Sequence, residues 1–329
     1  NPPAGMVGLN SYVALTKEQH DKLHPNALPH ERIPIIEYRQ AHLLDAGGSN
    51  DAMVACSQSR ADVTVSRDDL RDAVACCRAG LLAAGVKQGS RVVGYLPNIP
   101  EAVVVFLAAA SIGAIWASCP PEFGPTSVLD RFGQLEPEML VTVGGYRYGA
   151  KSIDRSGEVA AIRAGLPTLT TVVEVAYCGE PVPGALRWDD LLAGPGDPGF
   201  DDVSFDHPLY VLFSSGTTGL PKAIIHRHGG ILLEHLKALG LHQDLGPTDR
   251  FFWFTTTGWM MWNFMVSALA LGSTLVLFDG DPSHPDIAQL WRIAGETQTT
   301  AFGVSAPFLM ECRKREISVS HFAPSLRSI

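Results

Sequence analysis

The sequence predicts an α/β fold in which parallel strands are flanked by helices. From about Val63 onward, short apolar segments of strand length alternate with longer segments whose apolar residues recur at helical spacing. No fixed-period repeat is present. Because strands that alternate with helices pair in parallel and need cover on both faces, this order indicates parallel sheets with helices on both sides.

Start and stop residues delimit several of these elements. The segment Asp68–Ala84 has charged residues in its first turn, apolar residues at helical spacing and Gly85 as a stop. Pro100 and Glu101 suit the start of a second helix, which Gly113 ends. The predicted strands are 91–96, a short one near 115, 139–143, 209–213, 223–226, 251–254, 274–278 and 299–303. The predicted helices are 68–84, 101–113, 126–135, 230–241, 260–271, 285–295 and 306–315, with a further helix–strand pair within 159–175.

Two segments are irregular by composition. Residues 1–60 are rich in Pro, His, Asn and Gly and are predicted to form a lead-in with little core of its own. Residues 179–208 are rich in proline and turn residues, and they form either an internal boundary or a long surface connection. The first ten residues contain neither a basic nor an apolar run, so no secretory signal is visible, although a lost N-terminal segment could have carried one.

The composition argues against some classes of function. Of the 329 residues, 46% are hydrophobic, which suffices for a large core, and the net charge of −9 provides no overall attraction for nucleic acid. The six cysteines have no partners at zinc spacing and are interpreted as small core residues in a reducing, cytoplasmic compartment. The uncharged stretch Ala102–Ser118 is at the short limit for a membrane span, and we interpret it as a buried helix followed by a strand.

The most informative segment is a turn, rich in glycine and hydroxyl residues, that follows a buried strand. Within Leu212–His226, two glycines let the backbone approach a ligand, consecutive amides can form an anion-binding nest, and Lys222 adds a positive charge. Charge-assisted hydrogen bonds contribute about 1.5–3 kcal/mol each, so a few of them can hold a triphosphate. The candidate phosphate-binding residues are Ser214, Ser215, Gly216, Thr217, Thr218, Gly219 and Lys222.

Two other interpretations of this segment were open from the residues. A hairpin loop with a solvated lysine would have a similar composition, but four hydroxyl residues within the six positions 214–219, directly after a strand, favour phosphate binding. A kinase-type phosphate loop has Ser or Thr directly after its lysine. Ala223 stands at that position, which argues against such a loop.

The run from Ser214 to Lys222 resembles the signature phosphate loop of the acyl-adenylating (AMP-forming) acyl-CoA synthetase superfamily. The resemblance implies that this loop wraps the β- and γ-phosphates of ATP, with Lys222 and Thr217 in catalytic roles. It also implies the large N-terminal domain of the acyl-adenylating fold over residues 61–329, with mixed, mostly parallel sheets flanked by helices. The adenine, ribose and C-terminal lid motifs of the family do not occur in this sequence.

A second segment, Phe251–Phe264, resembles the acyl-pocket motif as it stands in acetoacetyl-CoA synthetases. Its bulky and adaptable side chains are of the kind that wall a small acyl group. The resemblance gives this role to Trp259, Met260, Met261 and Trp262. The alternative is an apolar helix that packs in the core, since Trp259 and Trp262 are three residues apart and would share a helix face.

Segments 119–135 and 144–151 are similar to those near the CoA channel in that family. Arg147 and Lys151 are therefore candidates for contact with the phosphates of CoA, although a solvated basic turn would have the same sequence. His226 and His228 flank Arg227, and we interpret them as local polar packing rather than as catalytic residues.

The resemblance implies an ATP-dependent acid–CoA ligase that forms acetoacetyl-adenylate and then acetoacetyl-CoA, using ATP, CoA and Mg²⁺. No metal-ligand set is identified in the sequence. The alternatives are activation of acetate, propionate or another short acid, transfer of the acyl group to a carrier protein or oxygen, and a non-catalytic nucleotide- or acyl-binding module. Neither a nucleic acid nor a membrane is expected as a partner. Without the missing motifs we expect the 329-residue chain alone to be inactive, and we expect an unpaired sheet edge near its end to favour self-association.

Overall fold

Two large sheets and one short hairpin contain the strands of the computed structural model, which describes residues 51–214 and 219–329. The strands are β1 (Asp51–Ser57), β2 (Val63–Ser66), β3 (Arg91–Tyr95), β4 (Ile115–Cys119), β5 (Met139–Val143), β6 (Gly145–Tyr148), β7 (Lys151–Asp154), β8 (Thr171–Val175), β9 (Leu186–Arg187), β10 (Pro208–Ser214), β11 (Lys222–Arg227), β12 (Arg250–Trp253), β13 (Thr274–Asp279) and β14 (Ala301–Gly303). The helices are α1 (Arg67–Ala83), α2 (Pro100–Ile112), α3 (Pro125–Phe132), α4 (Ser156–Gly165), α5 (Trp188–Leu191), α6 (His228–Leu236), α7 (Met260–Val266), α8 (Gln289–Glu296), α9 (Ala306–Lys314) and α10 (Val319–Phe322). A π-helical turn, Lys237–His242, continues α6, and a 3₁₀ turn, Ser267–Leu271, continues α7.

Most neighbouring strands are parallel. Among the described residues, the first sheet has the order β14–β12–β13–β1–β2, in which only β1 and β2 are antiparallel. The second sheet has the order β11–β10–β4–β3–β5–β8–β9, in which only β10 and β11 are antiparallel. β6 and β7 form the separate hairpin. The predicted α/β class with mixed, mostly parallel sheets is therefore confirmed.

Helices and sheets stack in five alternating layers within the described part of the chain. Because neighbouring strand residues face opposite sides of a sheet, Val92 of β3 faces the central core and Val93 an outer one. In the same way, Leu275 of β13 faces the central core and Val276 the opposite outer core. α1 and α2 fill the space between the two sheets. α3 and α4 cover the outer face of the second sheet, and α8 and α9 cover the outer face of the first.

α2 is buried along almost its whole length because it lies between the sheets. Pro100 occupies its first turn, and Gly113 ends it with φ +72°, as the sequence predicted. Every residue from Ala102 to Ile112 is buried. The burial of α2 between two sheets explains why the sequence has an uncharged apolar run here that is nearly as long as a membrane span. No helix in residues 51–214 and 219–329 is both long and apolar enough to traverse a bilayer.

The first strand among the described residues, β1, begins at Asp51, whereas the predicted lead-in extends to residue 60. β1 lies between β13 and β2, with Met53 and Ala55 buried in the central core. The predicted boundary at residue 60 is therefore too late for the sheet, because β1 is an integral strand of it. The rest of the lead-in, residues 1–50, lies outside the described residues.

Two further elements differ from the sequence prediction, one helix that begins later and one hairpin that was not expected. The helix predicted from Pro285 begins at Gln289, because Asp286 accepts a hydrogen bond from the backbone of Ala288 at 2.8 Å and forms a turn first. The antiparallel hairpin of β6 and β7 was not predicted, since its two short segments lack the alternation of apolar and polar residues over several positions that marks a strand in sequence.

The turn-rich segment 179–208 is a surface connection packed against α1. Trp188 in its short helix is buried. Arg78 of α1, itself buried, pairs with Asp197 at 3.1 Å and with Asp201 at 2.8 Å. These contacts support the second of the two interpretations that the sequence left open for this segment.

The six cysteines are free. Four of them are buried, namely Cys56, Cys77, Cys119 and Cys312, and the other two, Cys76 and Cys178, are partly buried. Burial raises the pKa of the Cys56 and Cys119 thiols to about 12, so these thiols stay protonated at neutral pH. The interpretation of the cysteines as core residues is confirmed for the four that are buried.

An aromatic cluster forms the middle of the central core. The ring of Phe106 in α2 contacts three other rings, with centroid distances of 6.3, 6.0 and 5.8 Å to Trp116, Tyr210 and Trp262. These partners come from β4, β10 and α7. Phe106 therefore connects the helix between the sheets to both the second sheet and the segment that follows β12.

Replacing Phe106 with alanine should lower the free energy of unfolding by about 3–5 kcal/mol, because it removes the ring contacts and leaves a cavity. Urea unfolding measures this loss. Leu233→Ala in α6 is the control, since the Leu233 side chain is 62% exposed, and it should change stability by no more than about 0.5 kcal/mol. Equal losses in the two variants would contradict the central position of Phe106.

Candidate active site at the carboxyl ends of the strands

β10 and β11 form an antiparallel hairpin, and the predicted phosphate-binding turn joins their ends. Ser214 at the end of β10 is paired with Lys222 at the start of β11, and both residues are exposed. Gly219 has φ +100°, a conformation that glycine adopts without a steric penalty. The remaining candidates, Ser215, Gly216, Thr217 and Thr218, lie outside the described residues. The hairpin interpretation and the phosphate interpretation are compatible, because the hairpin holds Ser214 and Lys222 across from each other at the mouth of the turn.

Both limbs of this turn are attached to the second sheet. β10 runs parallel beside β4, so Ser214 lies at the same edge of the sheet as Pro120, which follows β4. On the other limb, Nε2 of Gln134, just beyond α3, donates a hydrogen bond to the carbonyl oxygen of Pro221 at 2.9 Å. The residue before Lys222 is therefore tied to the helix that covers the outer face of this sheet.

The segment that follows β12 crosses from the first sheet to the second. Thr257 Oγ1 donates to the carbonyl oxygen of Leu96 at 2.7 Å, and the carbonyl oxygen of Thr257 accepts from Ser118 Oγ at 2.6 Å. A Cβ atom at Gly258 would lie 2.7 Å from Cδ of Pro120, so this close approach requires glycine. Because these partners lie at the ends of β3 and β4, the segment is held at the carboxyl edge of the second sheet, where the phosphate turn also begins.

The four candidate acyl-pocket residues do not share one environment. Trp259 is 65% exposed and Met260 50% exposed, while Met261 is partly buried. Trp262 is fully buried, and its Nε1 donates to Oδ1 of Asn98 at 2.9 Å. The expected common face of Trp259 and Trp262 is wrong, because Trp259 precedes α7 with extended backbone (φ −104°, ψ 146°) and helical spacing does not apply to it. Trp262 packs in the core, as the alternative interpretation held.

A second contact between the sheets lies at Tyr177, which follows β8. Its hydroxyl donates to Oδ2 of Asp279, the last residue of β13, at 2.8 Å. The hydroxyl of Ser57, the last residue of β1, lies 2.5 Å from the same phenol oxygen. Because the phenol has one proton and gives it to the carboxylate, Ser57 is the donor in the second bond.

Arg60 encloses this cluster on one side. Its guanidinium lies 4.9 Å from the centre of the Tyr177 ring and pairs through both terminal nitrogens with Glu101, at 2.6 and 2.7 Å. Asp279 is buried, and its burial raises the pKa of its carboxyl to about 7, although hydrogen bonds from Tyr177 and Ser59 oppose the shift. Near neutral pH the carboxyl of Asp279 is therefore divided between its two protonation states.

The β6–β7 hairpin contains the two candidate CoA contacts. Arg147 and Lys151 are exposed, and neither forms an ion pair with a residue that the structure describes. The register pairs Arg147 with Ser152 and Lys151 with Tyr148. Because adjacent pairs in an antiparallel ribbon face opposite sides, the two cations lie on opposite faces of the hairpin.

The histidines beside the phosphate turn pack locally, in agreement with the sequence interpretation. The ring of His226 lies 5.1 Å from that of Tyr210, and burial lowers the pKa of His226. His228 is buried, with its ring 5.7 Å from that of His207. Within the described residues, no group of three or more His, Cys, Asp or Glu side chains is placed to hold a metal ion.

Sequence reasoning missed the residues that join the two sheets, which are Ser57, Arg60, Tyr177, Thr257 and Asp279. Their partners are distant in the chain, so no local spacing identifies them. One signal was present: Ser57 and Asp279 are polar residues that end apolar strands, a position where parallel sheets place their functional groups.

Comparison with known proteins assigns the chain to a family. Residues 45–329 match the family described as AMP-binding enzyme. The chain belongs to this family. A solved structure, that of acetoacetyl-CoA synthetase from Streptomyces lividans, matches with a TM-score of 0.84 and 51% sequence identity, over 87% of this chain and 45% of that chain.

Relatives in other organisms are similar over a comparable share of their length. The acetoacetyl-coenzyme A synthetase of Rhizobium meliloti (strain 1021) is 42% identical over 279 residues, which are 83% of this chain and 43% of that protein. The acetoacetyl-CoA synthetase of Rattus norvegicus is 40% identical over 295 residues, which are 86% of this chain and 44% of that protein. The chain thus spans less than half the length of these relatives.

Asp279→Asn should make stability less dependent on pH. Because the folded-state pKa of Asp279 is raised, the native protein keeps a proton between about pH 4 and about pH 7 that the unfolded chain releases. The stabilising contribution is fully present below this window and is lost as the pH rises through about 7, with a slope of at most about 1.4 kcal/mol per pH unit.

Urea unfolding at several pH values between about 5 and 8 tests this prediction. The wild type should lose stability relative to Asp279→Asn as the pH rises through that range. Asp72→Asn, which changes an exposed carboxylate of α1, is the matched control and should follow the wild type. Parallel stability curves for the wild type and Asp279→Asn would contradict the proposed protonation.

Proposed function

We propose that this protein is an ATP-dependent acid–CoA ligase that forms AMP and activates acetoacetate. The observation that carries the proposal is the pairing of Ser214 with Lys222 at the mouth of a turn, at the sheet edge that also holds the segment with Trp259 and Met260. Ligands of open α/β sheets bind at this carboxyl edge. Relatives with 42% and 40% identity are named acetoacetyl-CoA synthetases, which supports acetoacetate as the acid.

In the first step, a carboxylate oxygen of the acid attacks the α-phosphorus of ATP. The bond from that phosphorus to the bridging oxygen breaks, and acyl-adenylate and pyrophosphate form. Lys222, the hydroxyls of Ser214 and Thr217, and the backbone amides of the turn would hold the β- and γ-phosphates and offset the charge that develops on the leaving pyrophosphate. Further positive charge comes from the Mg²⁺ bound to ATP.

In the second step, the thiol sulfur of CoA attacks the acyl carbon and the thiol proton passes to solvent. The bond from the acyl carbon to the phosphate oxygen then breaks, and AMP leaves. Arg147 and Lys151 would contact phosphates of CoA. Their exposure, their charge and their lack of ion pairs with described residues support this role. Their positions on opposite faces of the hairpin suit a ligand with more than one phosphate group.

The acyl group would lie against Trp259, Met260 and Met261. Methionine side chains adapt to irregular shapes, and the exposed tryptophan provides a large apolar surface. Trp262 supports this surface from the core, where Asn98 fixes the orientation of its indole. The size of the accepted acid would therefore depend on the exposed side chains, while the buried tryptophan keeps their backbone in place.

The proposed partners are small molecules, and we propose a cytoplasmic location on the basis of the six free cysteines. The net charge of −9 argues against a nucleic-acid partner. Self-association through the edge of the first sheet stays a prediction. At that edge Ser328 forms a parallel bridge with Ala301 of β14, so association there would have to displace or extend this pairing.

Lys222→Ala in the natural protein should slow formation of the acyl-adenylate roughly ten- to hundredfold, because a charge-assisted hydrogen bond to the leaving phosphates is lost. Thioester formation from preformed acyl-adenylate should survive. Pyrophosphate release with acetoacetate measures the first step, and formation of acetoacetyl-CoA from the adenylate measures the second. Lys87→Ala, which removes another exposed lysine, should leave both unchanged. Equal loss in both steps would rule out the proposed role of Lys222.

Trp259→Ala should relax the choice of acid toward bulkier substrates, because the largest exposed side chain of the proposed acyl surface is removed. The ratio kcat/KM for acetoacetate and for longer or branched acids measures the change. Trp259→Phe keeps an aromatic wall and should retain most of the original preference. An unchanged substrate profile in Trp259→Ala would show that this side chain does not wall the acyl group.

A further inference from the structure

The side chain of Gln58 joins the β6–β7 hairpin to the segment that follows β13. Its Oε1 accepts hydrogen bonds from the backbone amides of Gly149 and Asp281, both at 2.8 Å. Its Nε2 donates to the carbonyl oxygens of Asp281 and His284, at 3.1 and 3.3 Å. The oxygen of this amide therefore contacts the backbones of both segments, and its nitrogen contacts only the segment that follows β13.

Two glycines shape the backbone around this amide, one by leaving room for it and the other by its conformation. Gly280 has φ +149°, and a Cβ atom there would lie 2.5 Å from Cδ of Gln58. Gly149, in the turn between β6 and β7, has φ +61°, a conformation that other residues rarely adopt. The backbone on both sides of the Gln58 side chain thus depends on glycine at the positions that it contacts.

Ser59 adds a second attachment. Its Oγ accepts a hydrogen bond from the backbone amide of Arg147 at 2.8 Å and donates one to Oδ2 of Asp279 at 3.2 Å. The β6–β7 hairpin belongs to neither large sheet, and its base is bridged to Cys178 through Gly145. Beyond Gly145, the hairpin is held by the buried ring of Tyr146 and by the hydrogen bonds that its backbone donates to Gln58 and Ser59.

We propose that Gln58 and Ser59 are positioning residues for CoA: they hold the turn of the β6–β7 hairpin against the end of β13 and so place Arg147 and Lys151 for the phosphates of CoA. This inference rests on the function proposed above. Gln58 and Ser59 act through the backbone of the hairpin. Without their hydrogen bonds to the backbones of Arg147 and Gly149, the two cations lose part of their orientation, so CoA binds more weakly while ATP and the acid bind as before.

Gln58→Ala in the natural protein should raise the KM for CoA roughly tenfold, since several hydrogen bonds to the hairpin and its neighbour are lost. Exchange of pyrophosphate into ATP, which reports the first step alone, should keep its wild-type rate. Gln88→Ala is the matched control, because the Gln88 side chain is exposed and makes no hydrogen bond with the described residues. Arg147→Ala and Lys151→Ala are measured in parallel.

Gln58→Glu gives a readout that a general loss of structure would not produce. The introduced carboxyl keeps its acceptor contacts with Gly149 and Asp281, but only its protonated form can donate to a carbonyl oxygen. The KM for CoA should therefore be near the wild-type value at low pH and should rise as the introduced carboxyl ionises. Each value is divided by that of the wild type at the same pH, which cancels the titration of the neighbouring Asp279, Asp281 and His284.

The outcomes separate the two proposals. If Arg147→Ala and Lys151→Ala both leave the KM for CoA unchanged, the proposed CoA contacts are wrong, and the positioning role falls with them. If those variants raise the KM for CoA but neither Gln58 variant does, the positioning role alone is overturned. A matching loss in pyrophosphate exchange for Gln58→Ala would also overturn it. If Gln58→Ala does not fold, the KM for CoA of Gln58→Glu is the deciding measurement. A ratio to the wild type that stays at one across the pH series would overturn the positioning role.

Discussion

The burial of α2 between the two sheets is the constraint on which the candidate site depends. α2 is apolar on all sides, so it needs a sheet on each side. The packing of Phe106 against Trp116 and Trp262 then sets how the sheets and the segment that follows β12 lie around this helix. With this helix in place, the carboxyl ends of β3 and β4 meet the segment that leaves β12. The candidate site therefore lies where the two sheets meet, and it takes segments from both.

Hydrogen bonds at that edge then fix the segments that face solvent. Thr257 attaches the segment before α7 to the second sheet, and Tyr177 attaches the second sheet to Asp279 of the first. The residues that make these attachments are buried or partly buried, whereas the residues proposed to meet substrates, such as Lys222 and Trp259, are exposed. This difference in exposure has a physical basis. An exposed cation stays hydrated until a phosphate replaces its water, whereas a buried, hydrogen-bonded side chain keeps its orientation when a ligand binds.

The antiparallel hairpin at the edge of the second sheet brings two candidate phosphate-binding residues together. In an antiparallel pair, opposite residues have Cβ atoms about 4.5–5.5 Å apart, so Ser214 and Lys222 are close neighbours although the turn separates them in sequence. If β11 ran parallel to β10, a long crossover connection would be needed between them, and a hydroxyl and an ammonium group could not be paired across a short turn. A single antiparallel pair in an otherwise parallel sheet thus forms the mouth of the phosphate turn.

By itself the sequence determined the elements whose signals are local. β5 has the predicted bounds, and α2 begins at Pro100 and ends at Gly113, because strand length, apolar pattern and capping residues act over a few neighbouring positions. The composition of the phosphate turn was likewise readable, since its glycines, hydroxyls and lysine are contiguous. Only the tertiary structure decided that Trp262 is buried while Trp259 is exposed, and that Tyr177 meets Asp279, 102 residues away. These contacts form between segments that adjoin only after the sheets have stacked on α2, so no spacing along the chain could have indicated them.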